Sequence, residues 1–445
     1  MSRRLAVIGG DAAGMGAAAQ ARRLDPNLEI VAFERGDTTS YSACGIPYVV
    51  GGSIPELDDL VVRTPQQHRD VSRIDVRTRH EVMGIDLVQQ RLEVHDSAHG
   101  RTIQVPFDEL LIGTGSAPIR PDLPGIDLPF VRGVQTLDDA AELLRLAEAL
   151  RCTNVVVVGG GYIGLEMAEA FVERGMRVAV VEAGDQLMRT LDADLARPVE
   201  DAMRKLGIDV RLGNRVTGFA DRLVQTDDGP LLADLVVLGL GVVPRTELAA
   251  DAGIAVGVKG AIKVDRRQHA SADGVWAAGD CCESVHLVSG LPVHVALGTV
   301  ANRQARVAGT NLGGGYATFP GVLGSAITKI CATEVSRTGL TCDEARDAGF
   351  EAFAATIESS TVAGYLPDAP KCTVRFVVEQ RSGRLLGAQI VGGRGAAKRI
   401  DVAATAITAR LTVAEIVDLD LSYAPPFGPL WDPIAVAARK AVASL

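Results

Sequence analysis

Cys44 stands in the run TTSYSACGIPYVVGG, where Gly45 and Pro47 point to a tight lead-in to a short helix. A thiol at a helix N-terminus has backbone N–H groups turned towards it, which favours the thiolate, the form that attacks sulfur. Cys44 is therefore expected to be an acidic nucleophile. The other cysteines, at 152, 281, 282, 331, 342 and 372, form no CxxC pair and no four-ligand metal pattern, so no metal site is expected. With Cys44 the total is seven, and the odd number argues against a secreted disulfide framework and for a reducing, cytoplasmic setting. Cys152, Cys331 and Cys372 read as structural, and the adjacent Cys281 and Cys282 are poor partners for an unstrained disulfide.

A nucleophilic thiol needs a source of electrons, and two glycine patterns point to one. Leu5 to Ile8 reads as a buried strand, followed by the turn Gly9, Gly10, Asp11, Ala12, Ala13, Gly14, a helix to about Leu24, and a strand from Leu28 to Phe33 ending at Glu34. The order recurs at Val155 to Val158, with Gly159, Gly161 and Gly164 completing GxGxxG, a helix through Glu173, and a strand from Val178 to Val181 ending at Glu182. The glycines allow a tight turn, close approach of backbone to a pyrophosphate and close helix packing, while the acid accepts ribose hydroxyls. Two such units, each closed by an acid, predict two dinucleotide sites. In the first, Asp11 replaces the middle glycine, and its carboxylate is expected to turn away from the pyrophosphate.

Two more strand-to-glycine turns extend the first unit: FDELLIGTG at 107 to 115, with Thr114 and Gly115 in the turn, and Val275 to Ala278 before Gly279 and Asp280. An acid at the carboxyl end of a parallel strand is placed to hold a ligand. From about Phe319 the pattern changes. Thr373 to Val378 and Leu385 to Val391 read as a hairpin across QRSGR, with helices over roughly 395 to 410 and 412 to 418 and a short final helix. The chain has 445 residues, enough for about three domains. Its 48 glycines and aliphatic-rich composition suit closely packed helices and parallel strands. With 45 Lys and Arg against 55 Asp and Glu, a nucleic-acid partner is not expected, and no apolar run reaches the length of a membrane span.

Taken together, the two fingerprints, SxxxCGxPY at Ser40 to Tyr48, Thr114-Gly115, AAGD at Ala277 to Asp280, GVLGSAITK at 321 to 329, AGYLP at 363 to 367, GAQIVGGRGAAKRIDV at 387 to 402 and YAPPF at 423 to 427 resemble the FAD-dependent pyridine nucleotide-disulfide oxidoreductases. The likeness is to the single-cysteine branch that contains coenzyme A disulfide reductases, persulfide reductases, NADH oxidases and NADH peroxidases. The resemblance implies an α/β protein with two Rossmann-like domains and a C-terminal α+β dimerisation domain. FAD would bind 1–124 and 256–325, NAD(P)H 125–255, and 326–445 would form a homodimer. Gly9, Gly14, Glu34, Val82, Thr114, Gly115 and Asp280 would contact FAD. Gly159, Gly161, Gly164 and Glu182 would contact the nicotinamide nucleotide. NADH is expected ahead of NADPH because Glu182 repels a 2′-phosphate, with Arg177 and Arg189 as nearby counter-charges.

The resemblance also places Cys44 against the flavin, with Tyr423 and Tyr365 of a partner subunit near the substrate sulfur. Val49 stands where a CxxxxC loop would have its second thiol, so the oxidised forms left to Cys44 are a mixed disulfide, a persulfide or a sulfenic acid. Ala12 occupies the place of the histidine of the oxidase and peroxidase branches, which lowers those readings. Gln20, Arg23, Ser40 and Asn302 match a coenzyme A pocket, with Arg22 and Arg306 nearby, whereas Ala43 and Ser72 depart from it. The expected function is reduction of a small disulfide or persulfide, coenzyme A disulfide among the candidates, with NADH oxidase or general NAD(P)H dehydrogenase as the alternative.

Overall fold

The computed structural model describes residues 3–445; Met1 and Ser2, where the expected FAD-binding region begins, lie outside the described residues. Short runs of Val, Ile, Leu and Ala without polar alternation must be covered on both faces, which is the condition of a parallel sheet. Two such sheets form. The first orders its strands Val275–Ala277, Glu109–Ile112, Arg4–Ile8, Glu29–Phe33 and Asp75–Arg77, all parallel. The second runs Asp209–Arg211, Arg177–Val181, Asn154–Val158, Leu235–Leu238 and Val131–Gly133, again all parallel.

In both sheets the strand that leads into the fingerprint is central, flanked by neighbours reached in opposite directions, so a crevice opens at its carboxyl end. Leu5, Val7, Val157 and Val237 are fully buried there, and each such side chain contributes about 1.5–3 kcal/mol of apolar transfer. The chain leaves the first unit and returns to it through adjacent strands, Ser116–Pro118 and Val242–Pro244, which pair antiparallel.

Six helices position the site. Helix α1 (Ala12–Leu24) packs on the helix Gly298–Leu312 so closely that a Cβ at Gly309 would lie 2.3 Å from the carbonyl oxygen of Ala17. Helix α2 (Ile46–Gly51) follows Cys44, and α3 (Pro65–Ser72) starts at a capping box between Thr64 and Gln67. Helices α4 (Leu137–Ala149) and α5 (Tyr162–Glu173) belong to the second unit. Ile46, Val49 and Val50 share one core with Leu137 and Leu143 of α4 and Leu165 and Phe171 of α5. The helix that follows Cys44 is thus wedged between the units.

The C-terminal region is a five-stranded antiparallel sheet in the order Ala326–Ile330, Thr333–Gly339, Leu385–Gly392, Lys371–Glu379, Ala352–Ser360. The expected hairpin forms between the third and fourth of these. The helix expected over 395 to 410 is shorter: a 3-10 turn, Ala397–Arg399, leads into Ile400–Thr408. Left-handed backbone at Gly395 (φ +86°) and Arg410 (φ +59°) ends the helical run on both sides. Among the described residues, no helix is long and apolar enough to cross a membrane, and no group of His, Cys, Asp and Glu could hold a metal ion.

Candidate active site: two dinucleotide cradles and a lone thiol

The two fingerprint turns repeat one geometry. Gly9 (φ +108°) and Gly159 (φ +106°) make the sharp exit from the strand. A Cβ at Gly9 would stand 2.2 Å from the carbonyl oxygen of Gly113, and one at Gly159 2.5 Å from that of Gly239. Gly14 and Gly164 seat the helices, since a Cβ there would lie 1.9 and 2.1 Å from the carbonyl oxygens of Gly9 and Gly159. Gly161 differs: its nearest atom would be 3.9 Å away, which leaves the head of α5 open to a ligand. Glu34 accepts from the N–H groups of Gly10 (2.8 Å) and Gly36 (2.8 Å), and Glu182 from those of Gly160 (2.8 Å) and Gly184 (2.7 Å). These bonds fix both carboxylates at the rim, with lone pairs remaining for ribose hydroxyls.

Arg189 lies beside Glu182, its Cδ 3.2 Å from where a Gly184 Cβ would be. Arg177 instead donates to Asn154 Oδ1 at 3.1 Å, on the far end of its strand.

Asp11 turns out of its turn as expected, and its direction is informative. It does not cap α1; Oδ1 accepts from the backbone N–H of Tyr41 at 3.1 Å, in the loop that carries Cys44. Burial pushes its pKa up to about 6, helped by the charges of Glu34 and Asp280. Asp280 is also raised by burial, against a hydrogen bond from Ser116 Oγ (3.0 Å) and the charge of His294. His294 Nε2 lies 2.7 Å from the Asp280 carbonyl oxygen, and buried Gln304 accepts from Gly279 N at 2.8 Å. Ser116, His294 and Gln304 were not singled out from sequence; only Ser116, in the GTGSAP turn, carried a local signal.

Thr114 Oγ1 donates to the carbonyl of Arg245 at 2.6 Å, and Gly115 adopts φ +69°. Val82 lies in the antiparallel strand His80–Asp86, half-buried against the core that includes Ile8 and Phe33. The first cradle fits an adenine dinucleotide: bare backbone at Gly9 and Gly14, an acid at the second strand, and Asp280 with one carboxyl oxygen committed to Ser116.

Cys44 sits in a 3-10 turn, Ala43–Gly45, immediately before α2, and is exposed. The expectation of a lowered pKa is corrected: desolvation pushes the thiol up, and the charges of Glu166 and Asp280 add to it. A single 3-10 turn and a six-residue helix align few peptide dipoles, so the surrounding walls prevail. Glu166, on α5, is itself raised by burial and accepts from Thr328 Oγ1 of the C-terminal sheet. Arg174 at the end of α5 donates to the carbonyls of Val49 and Val50, capping α2. Val49 is 2% exposed, so the place of a second thiol is packed apolar core.

The four expected substrate contacts are distributed over two patches. Gln20 Nε2 donates to Thr310 Oγ1 (3.1 Å) while its Oε1 accepts from Arg23 (2.6 Å), on the seam of α1 and the Gly298–Leu312 helix. Asn302 lies on that second helix and donates to its own Gly298 carbonyl at 2.8 Å. Ser40 lies on the Cys44 side and meets His68. Arg22 is committed to the carbonyls of Ser72, Pro26 and Arg73. Tyr365 and Tyr423 are neighbours, 74% and 44% exposed, at the surface of the C-terminal region. Arg399 ties their segments together through the carbonyls of Thr361 and Phe427. Cys281 and Cys282 are buried with sulfurs 3.7 Å apart, and all seven cysteines are free; Cys331 is only half-buried.

Residues 3–305 match the family model of pyridine nucleotide-disulphide oxidoreductases, and 325–432 match the dimerisation domain of that family. The chain is 38% identical to an NAD(P)H sulfur oxidoreductase (CoA-dependent) of Pyrococcus abyssi, over 99% of this chain and 98% of that one. An NAD-dependent persulfide reductase from A. fulgidus superposes with a TM-score of 0.96 at 36% identity, over 99% of this chain and 83% of that one. The reduced Bacillus anthracis CoADR-RHD also gives a TM-score of 0.96, at 31% identity, over 99% of this chain and 80% of that one. With two dinucleotide cradles, one exposed thiol and a separate C-terminal sheet, the chain belongs to the pyridine nucleotide-disulfide oxidoreductases, in their single-cysteine, coenzyme A disulfide reductase and NADH oxidase-like branch.

Proposed function

We propose that this protein reduces a small disulfide or persulfide, coenzyme A disulfide first among the candidates, at the expense of NADH, with Cys44 as the redox-active thiol. The observation that carries the reading is the isolation of Cys44: an exposed thiol heads α2, and buried Val49 closes the position a second thiol would need. The names of the P. abyssi and A. fulgidus relatives support a sulfur acceptor.

Bound FAD supplies two-electron exchange between the nicotinamide and the thiol. Gly9, Gly14, Glu34, Val82, Thr114, Gly115 and Asp280 hold it; Gly159, Gly161, Gly164 and Glu182 hold the nicotinamide nucleotide, NADH before NADPH. The Cys44 thiolate attacks one sulfur of the substrate, forms a mixed disulfide and expels one thiolate. Two electrons and a proton then release the second thiol, so that NADH, RSSR and a proton give NAD+ and two RSH. Gln20, Arg23, Ser40 and Asn302 bind the polar arm of the substrate. Tyr423 and Tyr365 act from the partner subunit of a homodimer and donate hydrogen bonds to the leaving thiolate. The free cysteines favour a reducing, cytoplasmic setting.

A second reading, NADH oxidase, is favoured by the name of a Methanocaldococcus jannaschii relative, 34% identical over 99% of this chain. Anaerobic, NADH-dependent release of free thiol from coenzyme A disulfide, compared between the wild type and Cys44→Ser, separates the two. Thiol release lost in the variant supports the first reading, and equal rates support the second.

A further inference from the structure

Ser40 is held in a conformation that serine rarely adopts, with φ +49°. Three backbone bonds fix it: its N–H donates to the carbonyl of Gly10 in the fingerprint turn (3.0 Å), and its own carbonyl accepts from Val62 (2.8 Å) and Arg63 (3.3 Å). The hydroxyl so presented is half-buried and lies 2.9 Å from Nε2 of His68. His68, on α3, is 3% exposed, and its other ring nitrogen, Nδ1, has no hydrogen-bond partner. Burial and the nearby charge of Arg63 pull its pKa down to about 4, so the ring is neutral at physiological pH.

A neutral imidazole carries one proton, and the environment selects the nitrogen. A proton on Nδ1 would leave a buried N–H donor unpaired, which native structures avoid more strictly than an unpaired acceptor. A proton on Nε2 is used at once in a bond to Ser40 Oγ. With its oxygen accepting from His68, Ser40 keeps its hydroxyl hydrogen free.

We infer that His68 is a positioning residue that makes Ser40 a hydrogen-bond donor to substrate, selecting small disulfides whose arm presents an acceptor oxygen, an amide carbonyl or a phosphate. The inference rests on the proposed reading of Ser40 as a substrate contact and adds the residue that sets its polarity.

Two measurements test it. In protein labelled with 15N-histidine, with the His68 signal assigned by its loss in His68→Gln, the proton should be found on Nε2; a proton on Nδ1 overturns the inference whatever the substrate proves to be. In steady-state assays with coenzyme A disulfide, His68→Phe should raise KM about fivefold, as expected for one lost hydrogen bond, with kcat and the rate of flavin reduction by NADH unchanged. His68→Gln, which retains a donor, should recover most of the loss, and adding His68→Phe to Ser40→Ala should change nothing further. Additive effects, or an unchanged KM in a flavin-loaded His68→Phe protein, contradict it. If wild-type protein does not turn over coenzyme A disulfide, the proposed substrate falls, and the tautomer measurement still decides the role of His68.

Discussion

Asp11 and Tyr41 join the first fingerprint turn to the cysteine loop: the carboxylate that displaces the middle glycine accepts the backbone N–H of Tyr41 at 3.1 Å. The exception to the glycine pattern is thus a strut for the loop bearing Cys44. Burial holds its pKa at about 6, above the value near 3.9 of an unfolded aspartate. Folding therefore favours the protonated form, and the stability it contributes is complete below about pH 4 and lost as pH rises through 6. In flavin-free protein, Asp11→Asn keeps the acceptor and removes the charge. It should abolish that part of the pH dependence, stabilise the fold at pH 7.5 by about 1–2 kcal/mol, and tighten FAD binding. Thermal melts across pH 4 to 8 and an FAD titration check this; unchanged slopes would contradict it.

Gly161 and Gly164 should separate binding from folding. A Cβ at Gly164 meets the Gly159 carbonyl oxygen at 2.1 Å, so Gly164→Ala is expected to destabilise by about 1–3 kcal/mol. At Gly161 the space is open, and Gly161→Ala should leave the melting temperature unchanged while raising KM for NADH about tenfold, because the methyl group occupies the approach to the pyrophosphate. Melting curves and stopped-flow titrations read the two effects independently.

Nicotinamide choice is expected to turn on Glu182 and its neighbour Arg189. The carboxylate, fixed by Gly160 and Gly184, should favour NADH, and Glu182→Gln should shift the ratio of kcat/KM towards NADPH about tenfold, since one desolvated charge is removed from the 2′ position. Arg189→Ala in that background should reverse the gain. Faster flavin reduction by NADPH than by NADH in the wild type would contradict the preference.

Tyr423 and Tyr365 stand exposed side by side on the surface, as expected of groups completed by a second copy. Mixed dimers with Cys44→Ser on one subunit and Tyr423→Phe on the other contain one site with both native groups. Their disulfide turnover should exceed that of the doubly substituted homodimer; equal turnover would rule out action in trans.

Much of this was legible in the sequence because it is local. Both glycine turns, their acids and the flanking strands lie within about 30 residues, and the strands fall within a residue or two of the expected positions. The hairpin around QRSGR was legible for the same reason. Contacts that depend on how distant segments pack were not. Thr328 reaching Glu166, Arg174 capping α2, and Ser40 meeting His68 leave no periodicity or motif. The direction of the Cys44 pKa was not legible, because glycine and proline mark a helix start without revealing that the helix has only six residues and that the thiol stands among desolvating neighbours.

Cysteine-mediated reduction is tested most directly by anaerobic single-turnover measurement. Enzyme reduced by one equivalent of NADH is mixed with coenzyme A disulfide, and released thiol is counted for the wild type and Cys44→Ser. Because Gly9, Gly14, Glu34 and Asp280 are untouched, flavin reduction should be the same in both proteins. Thiol release should be rapid in the wild type and slower by at least about a thousandfold in the variant, the scale of losing a covalent nucleophile. Equal release from the two proteins would contradict the account and leave the flavin alone as the electron donor.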